Sequence, residues 1–270
     1  MKNRITAVIG LFILLFPLSI LAQGDLMIMP KRIIFEGNER SQEINLINTG
    51  KDTATFAISF IQYLMDENGE FTQVSEPAEG QKFADPFLRF FPRRVTLPPQ
   101  QAQTVRLQVT RTGEMSDGEY RSHAYFRAIE KQTALKSETE EESQDNISIN
   151  IKTVFGISIP VIIRRGETEA GIQLSDISFN KEANTISLVL NRSGNISTYG
   201  NLKVELRRSG DELKEVGLIK GIAVYTPNSK RNFSFELQNK DKVDISGGDL
   251  IISYETSKGK VYDEQVISVD

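Results

Sequence analysis

The feature that most constrains the fold is a long alternating run between Ile147 and Arg164. Its odd positions are almost all large and apolar, whereas its even positions are mostly Ser, Asn, Lys, Gly, Pro and Arg. This alternation predicts a β-strand with one apolar face. At a rise of about 3.3 Å per residue the run would extend roughly 55 Å, although most strands have only about five or six residues. A small sandwich does not need a strand of this length for its own core.

Pro160 lies near the end of this run and has no N–H to donate to a neighbouring strand. We therefore interpret the run as an edge strand with one open side. An open apolar edge favours aggregation, so its presence predicts that another chain pairs with it. The alternative is an ordinary core strand followed by a linker strand, in which case the alternation requires no partner.

Residues 1–22 have the layout of a secretory signal peptide. Lys2 and Arg4 precede an apolar run that contains Pro17, and Ala22 provides a small residue for cleavage. The run is short for a membrane span and is interrupted by its proline, which disfavours an uncleaved anchor. We therefore expect the rest of the chain to be exported.

The composition indicates the compartment in which the chain works and the class of partner that it is not expected to bind. The chain has no cysteine, so we expect its domains to depend on their cores, as is common in the bacterial periplasm. Loss of the two basic residues of the leader lowers the formal net charge from −4 to −6. This mild acidity argues against nucleic acid as a partner.

The chain after the leader is predicted to be all-β, with two immunoglobulin-like sandwich domains at residues 23–165 and 166–270. Short apolar runs alternate with turn residues at the spacing of antiparallel sandwiches. The polar stretch Arg164–Glu167 marks the boundary. In the second half, seven runs predict strands: Ile172–Phe179, Thr185–Leu190, Leu202–Leu206, Gly217–Tyr225, Asn232–Leu237, Leu250–Tyr254 and Val261–Val269.

Three shorter segments of the first half carry local predictions. Asp66–Gly69 predicts a hairpin turn, because Asn-Gly tolerates the positive φ angles of a type I′ turn. Tyr120 follows a Ser-Asp-Gly-Glu turn, which suits the tyrosine corner of immunoglobulin-like folds. The acidic segment 130–146 is expected to be a solvated loop that leads into the long strand.

An enzyme is not expected, and neither a cofactor nor a metal is predicted. The single histidine, His123, lies in the middle of a predicted strand, where a packing or surface role is expected. No glycine-rich phosphate loop, metal-ligand spacing or nucleophile elbow is present in the sequence.

Four ordered segments of the first half resemble the periplasmic pilus-assembly chaperones, the PapD-like family. The similarity covers about residues 26–165 and is carried by the segments Met29–Phe35, Ile44–Gly50, Phe91–Pro99 together with Gln103–Leu107, and Ile159–Arg164. The second half matches the family only in size, position and strand count.

The resemblance implies two sandwich domains in an L-shaped arrangement and a function in donor-strand complementation. In that family the chaperone inserts its own G1 strand into an incomplete pilin-like subunit, which then passes to an outer-membrane usher for fibre assembly. By this resemblance, the side chains expected to fill the pockets of the subunit are Ile147, Ile149, Ile151, Thr153, Phe155 and Ile157.

The family also holds the C-terminal carboxylate of its subunit with two basic residues in the cleft between the domains. Arg32 matches the first of these residues. The second is a lysine near the end of G1, and an ungapped match places Pro160 at that position. Arg164 or Arg165 is then a candidate substitute, with Arg164 the one we assign to subunit binding.

The alternative function is a tandem structural or adhesive module of the cell envelope, which binds a surface or another subunit without lending a strand. If the edge is open, it also permits self-association, because a second copy could cover it.

Overall fold

The computed structural model describes residues 26–129, 156–210, 212–237 and 243–269. Their regular structure is β throughout, apart from the short 3₁₀ turns Asp85–Phe87 and Thr112–Glu114, so the predicted all-β class is confirmed. The predicted signal peptide, the acidic segment 130–146 and residues 147–155 of the predicted long strand lie outside the described residues. No helix within these described ranges has the length and apolar character needed to cross a membrane.

Ten strands of the described chain build the first sandwich. They are β1 (Leu26–Met29), β2 (Ile33–Phe35), β3 (Ser41–Asn48), β4 (Ala54–Met65), β5 (Phe71–Val74), β6 (Leu88–Phe91), β7 (Arg94–Leu97), β8 (Ala102–Val109), β9 (Gly118–Ile129) and β10 (Gly156–Arg165).

The strand order of the first sandwich is that of an immunoglobulin-like fold. One sheet has the order β1-β3-β8-β6, and the other has the order β2-β10-β9-β4-β5, with β7 paired to β4. Their central strands correspond to the A-B-E-D and G-F-C-C′ orders of that fold. Strand β2 is parallel to β10, whereas the other pairs are antiparallel.

The pattern of side chains explains why these strands form two packed layers. In β8, Val105, Leu107 and Val109 are buried while Arg106 and Gln108 are exposed. This alternation directs one face of the strand to the core and the other to water. The core between the sheets includes Leu26, Ile28, Phe35, Leu46, Phe56, Leu88, Leu107, Phe126, Ile159, Val161 and Ile163.

The second sandwich contains seven described strands, and each of the seven predicted runs lies within or overlaps one of them. They are β11 (Ala170–Asn180), β12 (Thr185–Gly194), β13 (Thr198–Arg207), β14 (Lys214–Val224), β15 (Lys230–Glu236), β16 (Gly248–Glu255) and β17 (Val261–Val269). The sheets have the orders β11-β12-β15 and β14-β13-β16-β17. Their core includes Ile186, Leu188, Leu190, Leu202, Val204, Leu250, Ile252 and Tyr254.

A third, smaller cluster joins the two sandwiches. Ile162 on β10 and Met65 on β4 pack against Ala223 and Tyr225 of the second sandwich, with Ile34 partly buried beside them. Because this contact covers the outer face of the β10 sheet, β9 is buried on both faces from Gly118 to Ala124. Polar side chains on that outer face, among them Arg121 and His123, are therefore buried as well.

The local predictions for the first half have different outcomes. The hydroxyl of Tyr120 accepts a hydrogen bond from the backbone N–H of Ser116 at 2.9 Å, as the tyrosine corner requires. Asp66–Gly69 does connect the β4–β5 hairpin, but the type I′ turn is wrong, because φ is positive at Gly69 and not at Asn68. The Asp66 carboxylate instead accepts the backbone N–H groups of Asn68 and Glu70 and shapes a longer loop.

Candidate functional site

The first part of β10 has a strand neighbour on only one side in the described part of the chain. β10 pairs with β9 along its whole length, from Gly156 to Arg165. On its other side it pairs with β2 only over Val161–Ile163. The backbone of residues 156–160 therefore forms a free edge, which includes Pro160.

The free edge results from the way the start of the chain divides between the two sheets. β1 pairs with β3 in the opposite sheet, and only the three residues of β2 reach β10. Because β2 is so short, it covers the end of β10 and leaves its beginning unpaired.

A groove lies between this free edge and β1. It has a volume of about 450 Å³ and is bordered by Leu26–Ile28 on one side and Ile157–Ile159 on the other. Lys31 and Thr49 complete its lining. The groove separates the open edges of the two sheets, so it is the place where an extended segment can meet both of them.

The side chains of β10 alternate between the core and the second sandwich. Ile159, Val161 and Ile163 are buried in the first core, and Ile157 is partly buried against it. Ile162 has the opposite orientation and contacts the second sandwich. Of the residues assigned to subunit pockets, only Ile157 is described, and it lies at the rim of its own core. Ile147, Ile149, Ile151, Thr153 and Phe155 lie outside the described residues, so their assignment stays a prediction.

Arg32 lies between the sandwiches rather than on an open surface. Its Nη1 donates a hydrogen bond to the hydroxyl of Tyr225 at 2.5 Å. The guanidinium carbon lies 4.3 Å from the ring centroid of Tyr199 and 5.1 Å from that of Tyr225, so two aromatic rings of the second sandwich hold it. Its Nε and Nη2 are buried and have no hydrogen-bond partner among the described residues.

Arg121 on β9 is a second buried arginine at the same place, and the sequence did not single it out. Its side chain belongs to a residue that is only 4% exposed, and its guanidinium carbon lies 4.2 Å from the ring centroid of Tyr225. Nη2 reaches the carbonyl oxygens of Tyr63 and Thr226 at 3.4 and 3.3 Å. Nε and Nη1 have no partner among the described residues. Burial lowers the pKa of Arg121, but a guanidinium stays protonated in proteins.

His123 lies beside the two arginines and is uncharged. Burial, followed by the charges of Arg121 and Arg32, lowers the pKa of His123 to about 3. Its ring packs against Tyr63 and Phe71, with centroid distances of 5.0 and 6.1 Å. The histidine therefore has a packing role beside the cations and adds no charge near neutral pH.

Arg164, the proposed substitute for the missing lysine, is already paired within the chain. Its Nη1 lies 2.6 Å from the carboxylate of Glu36, and its Nε lies 3.3 Å from that of Glu119. Nη2 donates to the carbonyl oxygen of Ser197 at 3.0 Å. This geometry favours a role in joining the sandwiches, and the assignment of Arg164 to subunit binding remains an untested prediction that the contacts do not support.

Comparison with known proteins gives similarity of fold at low sequence identity. No protein-family model matches the chain, and no curated protein sequence matches it. The chain is similar to a chain from the structure of a chaperone–tip adhesin complex in CFA/I fimbriae biogenesis, with 18% identity, 91% of this chain and 99% of that chain covered, and a TM-score of 0.45. It is also similar to the YadV chaperone, with 11% identity, coverage of 90% and 100%, and a TM-score of 0.46.

A third similar structure is the Pseudomonas aeruginosa CupB2 chaperone, with 12% identity, coverage of 90% and 100%, and a TM-score of 0.45. All three TM-scores are below 0.5. We therefore base the function on the geometry of this chain's own residues.

Proposed function

We propose that this chain is a periplasmic chaperone that binds secreted, pilin-like subunits by adding the free edge of β10 to their incomplete sandwiches. The observation that carries the proposal is the one-sided pairing of residues 156–160. Unpaired N–H and C=O groups on a strand edge can form a ladder with another chain, which is the basis of recognition by strand addition.

The side chains that precede β10 would supply register and affinity. If the strand continues backwards with the same alternation, Ile147, Ile149, Ile151, Thr153 and Phe155 share the face of Ile157. In the subunit, each large apolar side chain that becomes fully buried would contribute about 1.5–3 kcal/mol before ordering costs. Thr153 would contribute least, because it is small and polar.

Arg32 would fix the end of the bound subunit. It lies in the contact region between the sandwiches with two nitrogen atoms that have no partner among the described residues, and a guanidinium forms charge-assisted hydrogen bonds with a carboxylate. The subunit would then pass to an outer-membrane usher, and the leader at residues 1–22 would direct the chaperone itself to the periplasm.

The second candidate function is a tandem structural or adhesive module that does not lend a strand. The burial of Ile159, Val161 and Ile163 in the first core favours it, because part of the alternating run serves the chain's own sandwich. The two functions differ in what they require of Ile149 and Ile151. A chaperone needs these side chains to contact its subunit, whereas in a structural module they either have no binding role or pack in the chain's own core.

The test is a double substitution, Ile149→Arg with Ile151→Arg, in a strain that expresses the chain together with the genes that flank its own. We expect a stoichiometric β-rich subunit to co-purify with the unmodified chain and not with the double variant. Loss of two buried side chains of about 1.5–3 kcal/mol each corresponds to a decrease in affinity of about 100-fold or more.

The matched control places the same charges on a different edge strand. Val261→Arg with Val266→Arg changes two half-exposed residues of β17, which is the last strand of its sheet. This variant should capture the subunit as well as the unmodified chain. Unfolding of the Ile149/Ile151 variant, or capture of the subunit at full strength, would contradict the proposed function.

A further inference from the structure

Two arginines from different strands of the first sandwich converge on one tyrosine of the second. Arg32 immediately precedes β2, and Arg121 lies on β9. Tyr225 accepts a hydrogen bond from Arg32 Nη1 at 2.5 Å, and its ring stacks on Arg121 at 4.2 Å. The strand register explains the meeting, because Ile162 on β10 lies opposite both Ile34 and Arg121. One strand therefore separates the two arginines.

The pair has no directly bound counter-charge among the described residues, because Glu119, which attracts Arg121 electrostatically, is bound to Arg164 and Ser197. Neither guanidinium forms a salt bridge with a described carboxylate. Four of their nitrogen atoms, two in each arginine, are buried and have no hydrogen-bond partner among the described residues. An unsatisfied buried donor is destabilising, and more so when the group is charged. Two adjacent cations with free donors match an anion that has two oxygen atoms in a plane, which is the geometry of a carboxylate.

We propose that Arg121 is the second cation that binds the C-terminal carboxylate of the subunit, together with Arg32, and that Tyr225 is the positioning residue for both. This inference rests on the proposed function. It assigns the role of the missing lysine to β9 instead of β10, because Pro160 has no charge and Arg164 is paired with Glu36 and Glu119. It also gives the second sandwich a direct part in binding, through Tyr225.

Two half-exposed aromatic rings border this site. Tyr199, which is 45% exposed, stacks on Arg32, and Phe71, which is 48% exposed, packs against Tyr225 at a centroid distance of 5.9 Å. The unpartnered nitrogen atoms are buried, so a carboxylate reaches them only if neighbouring side chains move.

The first test uses the unmodified protein and two short peptides. N-acetyl-triglycine with a free carboxylate, and the same peptide as a C-terminal amide, are titrated while the guanidinium Nε–Hε signals of Arg32 and Arg121 are followed by NMR. We expect both signals to move with the acid and neither to move with the amide. The inference is overturned if the signal of Arg121 is unchanged while that of Arg32 moves, if neither signal moves, or if the two peptides act alike.

The second test measures capture of the co-exported subunit by variants. Arg121→Met and Arg32→Met should each weaken capture about 30-fold or more, because each leaves the other charge and the carboxylate poorly paired. Arg121→Lys, which keeps the charge, should recover part of the loss, and Tyr225→Phe should cause a smaller loss. Arg127→Met removes an exposed arginine from the same strand and should have no effect.

The two proposals fail in different ways. If Arg121→Met captures the subunit as strongly as the unmodified chain, the assignment of Arg121 is wrong while strand addition stands. If the Ile149/Ile151 variant still captures the subunit but the signal of Arg121 responds to the acid peptide, strand addition is wrong and the anion site stands. The NMR titration remains decisive if Arg121→Met does not fold.

Discussion

The buried carboxylate of Glu119 accepts a hydrogen bond from the backbone N–H of Ser197 at 3.0 Å. Glu119 lies on β9 of the first sandwich, and Ser197 directly precedes β13 of the second. The hydroxyl of Ser197 also donates to Glu119 and accepts the backbone N–H of Thr226 at 3.0 Å. With Arg164 at 3.3 Å, one carboxylate connects the last strand of the first sandwich to two segments of the second.

Glu119→Ala should therefore loosen the contact between the sandwiches. Removal of one member of a buried ion pair costs about 3–5 kcal/mol, because the remaining charge and donors stay buried. We expect the single unfolding transition in calorimetry to fall in temperature or to divide into two. Glu36→Ala is the control, because Glu36 pairs with the same arginine but is exposed, and its loss should cost less than about 1 kcal/mol. Equal effects of the two substitutions would contradict this role of Glu119.

Gly166 connects the two sandwiches and should not tolerate a side chain. Its φ is +70°, and a Cβ there would overlap the carboxyl group of Asp117. Gly37 has a similar φ of +60° but has no atom near the position of a Cβ. Gly37→Ala should cost about 1–2 kcal/mol from the left-handed backbone alone. Gly166→Ala should cost at least about 1 kcal/mol more because of the overlap. Urea denaturation measures both values, and equal costs would show that Asp117 moves aside freely.

Tyr120→Phe should destabilise the first sandwich by about 1 kcal/mol, because the N–H of Ser116 loses its acceptor at 2.9 Å. The measurement is the midpoint of urea unfolding. Tyr262→Phe in the second sandwich serves as control, since its hydroxyl has no hydrogen bond among the described residues. A loss no greater than that of the control would mean that the corner does not contribute to stability.

His123 should make stability depend on pH between about 6.5 and 3. Its pKa falls to about 3 in the folded protein, whereas that of an unfolded histidine is about 6.5. The unfolded state therefore binds a proton first as the pH falls, and the folded state loses stability through this window. At pH 5 the loss is about 2 kcal/mol.

His123→Phe keeps an aromatic ring at this position and should remove that part of the pH dependence. The measurement is the difference in unfolding free energy between variant and unmodified chain at pH 7.5 and pH 5, which cancels the carboxylates common to both. A ring-proton NMR titration of His123 with a midpoint near 6.5 would contradict the buried, neutral state.

The features that the sequence predicted are those with local causes. The alternation of each strand in the second half, and the turn before Tyr120, involve residues within about one strand length of each other. The turn type at Asn68 was wrong for a similar local reason. The Asp66 side chain accepts two backbone N–H groups and favours a longer loop, in which only Gly69 has a positive φ.

Arg121 could not be identified from the sequence because its role depends on distant pairings. It approaches Arg32 only because β10 lies between β2 and β9 in one sheet, and it becomes buried only because Tyr225 covers that sheet. Arg32 lies 89 residues before Arg121 along the chain, and Tyr225 lies 104 residues after it. In the sequence Arg121 is a charged residue at an outward-facing position of a strand, and a solvent-exposed arginine gives the same pattern.

β10 carries core residues of the first sandwich and the free edge on a single uninterrupted stretch of backbone. The alternation of side chains along the free edge is therefore fixed by the alternation of the core residues. Deletion of one residue just before Gly156 would leave Ile159, Val161 and Ile163 in place, and if the strand continues upstream it would move Ile147, Ile149 and Ile151 to the opposite face. Any partner of that edge must accordingly accept a spacing that the chain's own core has already set.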